Sequence, residues 1–234
     1  MQETGTRINK YMSQCGYCSR READRLIEKG EVWINGTLAT MGTKVMPGDT
    51  VMVHHTTITP CQKEYLLAFH KPAGIVCTTS KIDKNNVIDY LNFPERIYPV
   101  GRLDKESTGL LLLTNNGQLM DDVLRGSNYH EKEYIVHVNK PITDSVLQAM
   151  AQGVPILDTI TRPCKIRRMG KDCFYITLTQ GLNRQIRRMC EYFDYRVTSL
   201  KRIRIMNIEL GSLPVGKWRE LTPCLLYTSD AADE

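Results

Sequence analysis

The stretch Gly101-Arg102-Leu103-Asp104-Lys105-Glu106-Ser107-Thr108-Gly109-Leu110-Leu111-Leu112-Leu113-Thr114-Asn115-Asn116-Gly117 decides how the larger part of this chain folds. Its four consecutive leucines form a short, continuous apolar run, which reads as a buried strand over residues 109–114. The Asn-Asn-Gly that follows is turn chemistry and closes it. Asp104 follows Arg102 and precedes the strand. Taken alone, an Asp in such a turn is a loop-stabilising side chain.

Working outward, strands and helices alternate loosely. Residues 65–69 read as a strand, followed by the turn Lys71-Pro72-Ala73-Gly74. A helix is expected over 118–125. In the segment 132–138, Tyr134, Val136 and Val138 share one face, the period of a half-buried strand. A helix over 142–151 has Thr143 as its cap, a strand covers 174–179, and a last strand covers 204–210. Between these two strands a helix is expected over 183–192. It begins in Gln180-Gly181-Leu182-Asn183-Arg184-Gln185-Ile186-Arg187-Arg188-Met189. At helical spacing Arg184 and Arg188 share a face and Arg187 lies beside it, so one arginine can meet a carboxylate and the others phosphate. The expected class is α+β, a mixed, mainly antiparallel sheet with flanking helices.

Residues 6–54 read as a separate, smaller unit. Ile8, Tyr11 and Met12 recur at helical spacing. Ser19-Arg20-Arg21-Glu22 is a capping box for a helix with Ala23, Leu26 and Ile27 on one face and Gly30 at its end. Asn35-Gly36 signals a hairpin, and Pro47-Gly48-Asp49 a further turn before a strand over 50–53. Arg20 and Arg21 sit in the first helical turn, where the helix dipole mildly disfavours cations and where backbone amides favour phosphate. A polar linker, 55–63, separates this unit from the larger domain, 64–223.

The chain has 234 residues, 41% of them hydrophobic and 24% charged, which excludes a mostly disordered chain and leaves room for one medium and one small domain. No apolar run reaches the ~18–20 residues of a membrane span, and MQETGTRINKYM contains no secretory apolar core, so a cytoplasmic protein is expected. The net charge is +5, and the arginines cluster near both ends of the chain, which points towards a nucleic acid. The last eleven residues, CLLYTSDAADE (224–234), read unlike the rest and are expected to be a non-native tail; they carry three acids and no base. Of eight cysteines only Cys15 and Cys18 have metal-like spacing. No second pair follows them, so reduced structural thiols are expected. No phosphate-binding loop, dinucleotide glycine pattern, H-E-x-x-H or G-x-S-x-G is present, and no histidine has a partner at metal-ligand spacing. No metal is expected.

Two resemblances sharpen this. The pattern R-I-N-K-Y…C-S-R-R-E-A-D-R-L-I-E-K-G-E-V-W-I-N-G resembles an S4 RNA-binding domain, which implies that Arg7, Lys10, Arg20 and Arg21 face RNA. The segments HKPAGIV, GRLDKESTGLLLLTNNG, EKEYIVHV and LTQGLNRQIRRMC together resemble the RsuA-type family of pseudouridine synthases. That resemblance implies isomerisation of a uridine in ribosomal RNA without metal or cofactor. It places the essential carboxylate on Asp104, the stacking tyrosine on Tyr134, the arginine paired with the carboxylate on Arg187, and an apolar pocket wall at Leu178. Arg102, Arg184 and Arg188 become candidates to hold phosphates. The C-terminal segment looks most like members that act on 23S RNA, and the family default is a monomer.

The chemistry agrees with these residue types. Asp104 must be ionised to attack the sugar or take a proton. A partly buried carboxylate tends to protonate, and an adjacent arginine opposes this. A catalytically dead RNA-binding protein, or the same chemistry on 16S RNA, a neighbouring 23S uridine or transfer RNA, remains open at this level. Phe193-Asp194-Tyr195 departs from the family, whose middle residue is usually glycine; Asp tolerates a left-handed backbone better than most residues.

Overall fold

The computed structural model describes residues 5–61, 63–80, 82–124 and 129–222. The suspected tail lies outside the described residues, as does Arg125 at the end of the helix expected over 118–125. The chain separates into two compact units. One holds the residues up to Glu64 with Pro94–Arg96 and Asn115–Gly117; the other holds Tyr65–Phe93, Ile97–Thr114 and the chain from Gln118 on.

The first unit runs β1 (Thr6–Arg7), α1 (Ile8–Gln14), α2 (Arg20–Glu28), β2 (Val32–Ile34), β3 (Thr37–Leu38), β4 (Lys44–Val45), β5 (Val51–Val53) and β6 (Thr56–Ile58). Its sheet has the order β3-β2-β5-β6, while β1 pairs with β4. Ile8, Met12, Ala23, Leu26 and Ile27 from the helices bury against Val32, Val51, Val53 and Ile58. Ser19 caps α2 by accepting from the Glu22 amide at 3.2 Å, and the Glu22 carboxylate pairs with Arg25 at 3.1 Å. The helix ends at Gly30, φ +73°, where the Gly30 and Glu31 amides donate to the carbonyls of Ile27 and Leu26, a left-handed cap that glycine adopts without strain. Asn35 and Gly36 both have positive φ, the backbone of a tight two-residue hairpin. Cys15 and Cys18 are half-buried against this core, and burial pushes both thiols up to about 11. They are protonated at neutral pH and lack the thiolate character that reactivity needs.

The second unit runs β7 (Leu66–Lys71), α3 (Val87–Leu91), β8 (Tyr98–Val100), β9 (Thr108–Thr114), α4 (Gly117–Leu124), β10 (Lys132–Val138), α5 (Asp144–Gln152), β11 (Pro155–Ile156), β12 (Thr159–Ile160), β13 (Lys165–Arg168), β14 (Cys173–Leu178), α6 (Gln185–Tyr192), β15 (Val197–Ile205), β16 (Ile208–Glu209) and β17 (Trp218–Glu220). One sheet follows the path β13-β14-β10-β15-β9-β7-β17, with β8 beside β9 and β16 beside β15. Among the described residues its strands pair antiparallel, except β15 with β9, which run parallel.

The leucine run is continuous because β9 is buried on both faces. Leu110 and Leu112 pack with Leu66, Ala68, Leu119 and Val123 on one side. Leu111 and Leu113 pack with Leu67, Phe69 and Ile97 on the other. A second core joins Val136, Phe174 and Ile176 of the sheet to Leu147 and Met150 of α5 and to Ile186, Met189 and Cys190 of α6. Thr143 caps α5 through the Val146 amide.

The last strand differs from expectation. It runs Val197–Ile205, and Met206 turns it back at φ +52° into the short β16. The apolar residues of 204–210 straddle this turn, and neither Gly nor Pro marks it. Asp194 does take a left-handed backbone, φ +59°. No helix among the described residues is long and apolar enough to cross a membrane.

Candidate active site

Asp104 lies in the connection between β8 and β9, and that connection is held from several sides. The Ser107 amide donates to the Asp104 carbonyl at 3.1 Å, and the Gly74 amide to the Lys105 carbonyl at 2.8 Å. The Leu103 amide points at Cys77 Sγ. Lys71, the last residue of β7, is fully buried at 0% exposure, and its Nζ donates to the carbonyls of Pro72, Lys105 and Ser107 at 2.8, 3.1 and 2.8 Å. All three ammonium protons are thus used, two of them on the Asp104 loop. Burial pushes the Lys71 ammonium below the usual lysine range. Lys71→Met would leave three carbonyls in the interior without that donor, and a stranded buried polar group costs about 1–3 kcal/mol. Chemical denaturation should show a loss of about 3 kcal/mol or more.

The other side of the site comes from α6. Arg184 stands just before it with a left-handed backbone, φ +51°, and the helix begins at Gln185. Arg184 and Arg188 therefore do not share a helical face. Arg188 turns back, its Nε donating to the Asn183 carbonyl at 3.1 Å. Arg184 reaches Asp104, with Nη1 4.0 Å from Oδ2. Arg187, 12% exposed, donates from Nε to the same Oδ2 at 3.3 Å, from Nη1 to the Val197 carbonyl at 3.4 Å and from Nη2 to Ser107 Oγ at 3.4 Å. Two guanidiniums thus address one carboxylate oxygen; Oδ1 takes no part in either pair.

Asp104 opens into a cavity of about 720 Å³, whose walls also carry Arg102, Tyr134, Leu178 and Arg184. Arg187 is outside this lining and supports Asp104 from behind. Tyr134 projects from β10 and is half-buried, Leu178 is buried at the end of β14, and Arg102 is exposed. In the first unit, Arg7, Arg20 and Arg21 are exposed and Lys10 is half-buried on α1.

The sequence reading did not single out Lys71, Ser107, Lys132, Leu200 or Arg202. Lys71 and Ser107 sit inside the quoted segments, but their roles depend on hydrogen bonds that close only in three dimensions. Among the described lining residues Asp104 is the one carboxylate, against the cations Arg102, Lys105, Lys132, Arg184 and Arg202. Such a cavity favours an anionic ligand and brings a carboxylate, an aromatic ring and apolar walls against it.

Residues 65–192 match the family model described as RNA pseudouridylate synthase, and residues 6–51 match the S4 domain. The chain belongs to the RNA pseudouridylate synthase family. This pseudouridine synthase is 54% identical over 222 residues, 94% of its length, to "Dual-specificity RNA pseudouridine synthase RluF" of Salmonella typhi, covering 77% of that protein. It is 34% identical to "Ribosomal large subunit pseudouridine synthase B" of Bacillus subtilis, with 93% and 92% of the two chains covered. A crystal structure of a "pseudouridylate synthase" superposes with a TM-score of 0.69 at 26% identity, covering 95% of this synthase and 98% of that chain.

Proposed function

We propose that this pseudouridine synthase isomerises a uridine of 23S ribosomal RNA in the cytoplasm, with Asp104 as the essential carboxylate. The observation that carries the proposal is Asp104, paired from behind with Arg187, as the one carboxylate among the described lining residues of a cavity that also carries Arg102, Lys105, Lys132, Arg184 and Arg202. Arg187 donates to Asp104 Oδ2 and holds the carboxylate in place for nucleophilic attack or proton abstraction. The Tyr134 ring stacks on the uracil, and Leu178 closes an apolar wall. The target uridine leaves its base stack to reach Asp104, and Arg102, Arg184 and Arg188 hold phosphates flanking it. The uracil detaches at N1, turns and rejoins the sugar through C5. The C5 proton is lost to solvent as N1 gains one, so the composition is unchanged, no electrons are gained or lost, and the scheme calls on no redox cofactor.

The ribosomal target rests on the resemblance of the C-terminal segment to large-subunit enzymes and on the name of the Bacillus relative. The words "dual-specificity RNA" in the name of the 54% identical relative favour a second RNA class as well. Tritium release from 5-tritiated uridine in large-subunit, small-subunit and transfer RNA tests both readings. Release from the large-subunit RNA is expected. Release from transfer RNA or small-subunit RNA alone would overturn the large-subunit assignment.

Arg7, Lys10, Arg20 and Arg21 bind RNA backbone in the same proposal, reading shape and not base identity. Replacing Arg20 and Arg21 together by Ala should lower RNA affinity and flatten its salt dependence, by roughly 1 in slope for each phosphate that is no longer neutralised. An unchanged slope in filter-binding titrations would place these arginines away from the phosphates.

A further inference from the structure

Among the described residues, Arg202 Nη2 is the buried side-chain polar atom left without a hydrogen-bond partner. Arg202 is 2% exposed and lines the cavity that holds Asp104. A buried unpaired donor is costly, and this one belongs to a residue of the site wall.

Its surroundings follow from the strand order. Arg202 on β15 lies opposite Tyr134 of β10 on one side and Gly109 of β9 on the other. Gly109 has φ +105°, and a Cβ there would collide with the Arg202 backbone, so only glycine lets these two strands meet. The side chain lies across β9, and its Nε donates to the Leu110 carbonyl at 2.7 Å. The guanidinium carbon stands 6.0 Å from the centroid of the Tyr134 ring. Lys132, two residues before Tyr134 on β10, also lines the cavity; its ammonium is pushed down by burial and then by Arg202. Two cations thus share the wall beside the aromatic ring, and none of the described ion pairs joins either of them to a carboxylate.

We infer that Arg202 Nη2 is a further catalytic group, which donates to a carbonyl oxygen of the uracil and stabilises the negative charge on the base when it detaches. The inference rests on the proposed reaction at Asp104. When the N1–C1′ bond breaks, both electrons leave on the base, and the charge spreads over N1, O2 and O4. At the sugar, either C1′ bonds to the Asp104 carboxylate or the 2′ proton passes to it. The step closes when C5 bonds to C1′, loses its proton to solvent and N1 takes one up, with Asp104 displaced in the first route or returning its proton to C2′ in the second. In both routes a carbonyl oxygen gains charge beside Tyr134, and a prearranged donor in a water-poor wall favours that state over the ground state. The guanidinium geometry favours a carbonyl over a phosphate. Nε is already taken by Leu110, so the Nε–Nη2 edge cannot grip a phosphate in bidentate fashion.

The test compares Arg202→Met with wild type in single-turnover cleavage of the glycosidic bond. Large-subunit ribosomal RNA is transcribed with uridine or with 5-fluorouridine, and loss of the nucleoside is read by chromatography after nuclease digestion. Fluorine stabilises the detached base anion, so less help from the protein is needed. Arg202→Met should slow the uridine reaction by about 100-fold or more, slow the 5-fluorouridine reaction at least about tenfold less than that, and leave RNA affinity unchanged. Equal slowing on both RNAs would show a merely structural role and overturn the inference. Weaker RNA binding with an unchanged rate would show a phosphate contact and overturn it too. If Arg202→Met is unfolded by circular dichroism, Arg202→Lys carries the same comparison: a smaller loss with 5-fluorouridine is expected, and equal losses contradict the inference. Asp104→Asn runs alongside and should be inactive on both RNAs. Cleavage by Asp104→Asn, or wild type that cleaves neither RNA, overturns the reaction at Asp104 and the inference with it, whereas equal slowing by Arg202→Met with wild type active overturns the inference alone.

Discussion

Asp104→Asn is expected to give a folded protein that binds RNA as tightly as wild type and isomerises uridine at least about 10⁴-fold more slowly, the scale of losing a group that takes part in bond making. Asn keeps the size and the acceptor oxygen of Asp, and Arg187 can still donate to it. The fold around the residue does not depend on the charge, because Lys71, Gly74 and Ser107 hold the loop through its backbone. What Asn removes is the anion itself. Single-turnover conversion of ribosomal RNA, with binding measured on the same preparations, separates the two effects. A fall in binding as large as the fall in rate would make Asp104 a contact residue and not a reacting one.

Arg187→Gln should slow the reaction by about 10²–10³-fold, the scale of losing one electrostatic partner in a site. The loss is smaller than for Asp104 because Arg184 still stands 4.0 Å from the carboxylate. It is not trivial, because Arg187 also ties Ser107 and Val197 to the site. Arg187→Lys restores the charge but not the three-way fork, so partial rescue is expected. If Arg187 acts through Asp104, the double variant with Asp104→Asn should be no slower than Asp104→Asn alone. Additive losses in this cycle would give Arg187 an independent role.

The parts legible in the sequence were those governed by local chemistry. Ser19, Thr143, Gly30 and Asn35-Gly36 announce caps and a hairpin through their own side chains or their freedom of φ, and the structure places them so. The leucine run could be read as buried, and its two-sided packing explains why it does not alternate. The end of β15 was not legible, since Ile203, Ile205, Ile208 and Leu210 continue an apolar pattern across a turn made at Met206. The arginine helix misled in one respect. Spacing put Arg184 and Arg188 on one face, but the left-handed backbone of Arg184 starts the helix at Gln185, two residues later than expected, and sends the two side chains apart. Arg202 was legible only as one of the clustered basic residues near the end of the chain; its place in the site was not, because its partners come from strands about 70 and 90 residues away and the sequence separation hides the contact.

In the proposed reaction Asp104, paired with Arg187, converts uridine to pseudouridine in 23S RNA. The most direct measurement maps pseudouridine at nucleotide resolution in large-subunit ribosomal RNA incubated with wild type or with Asp104→Asn. Pseudouridine is expected to appear at a defined uridine with wild type and to be absent with Asp104→Asn. Equal pseudouridine in the two samples would contradict it.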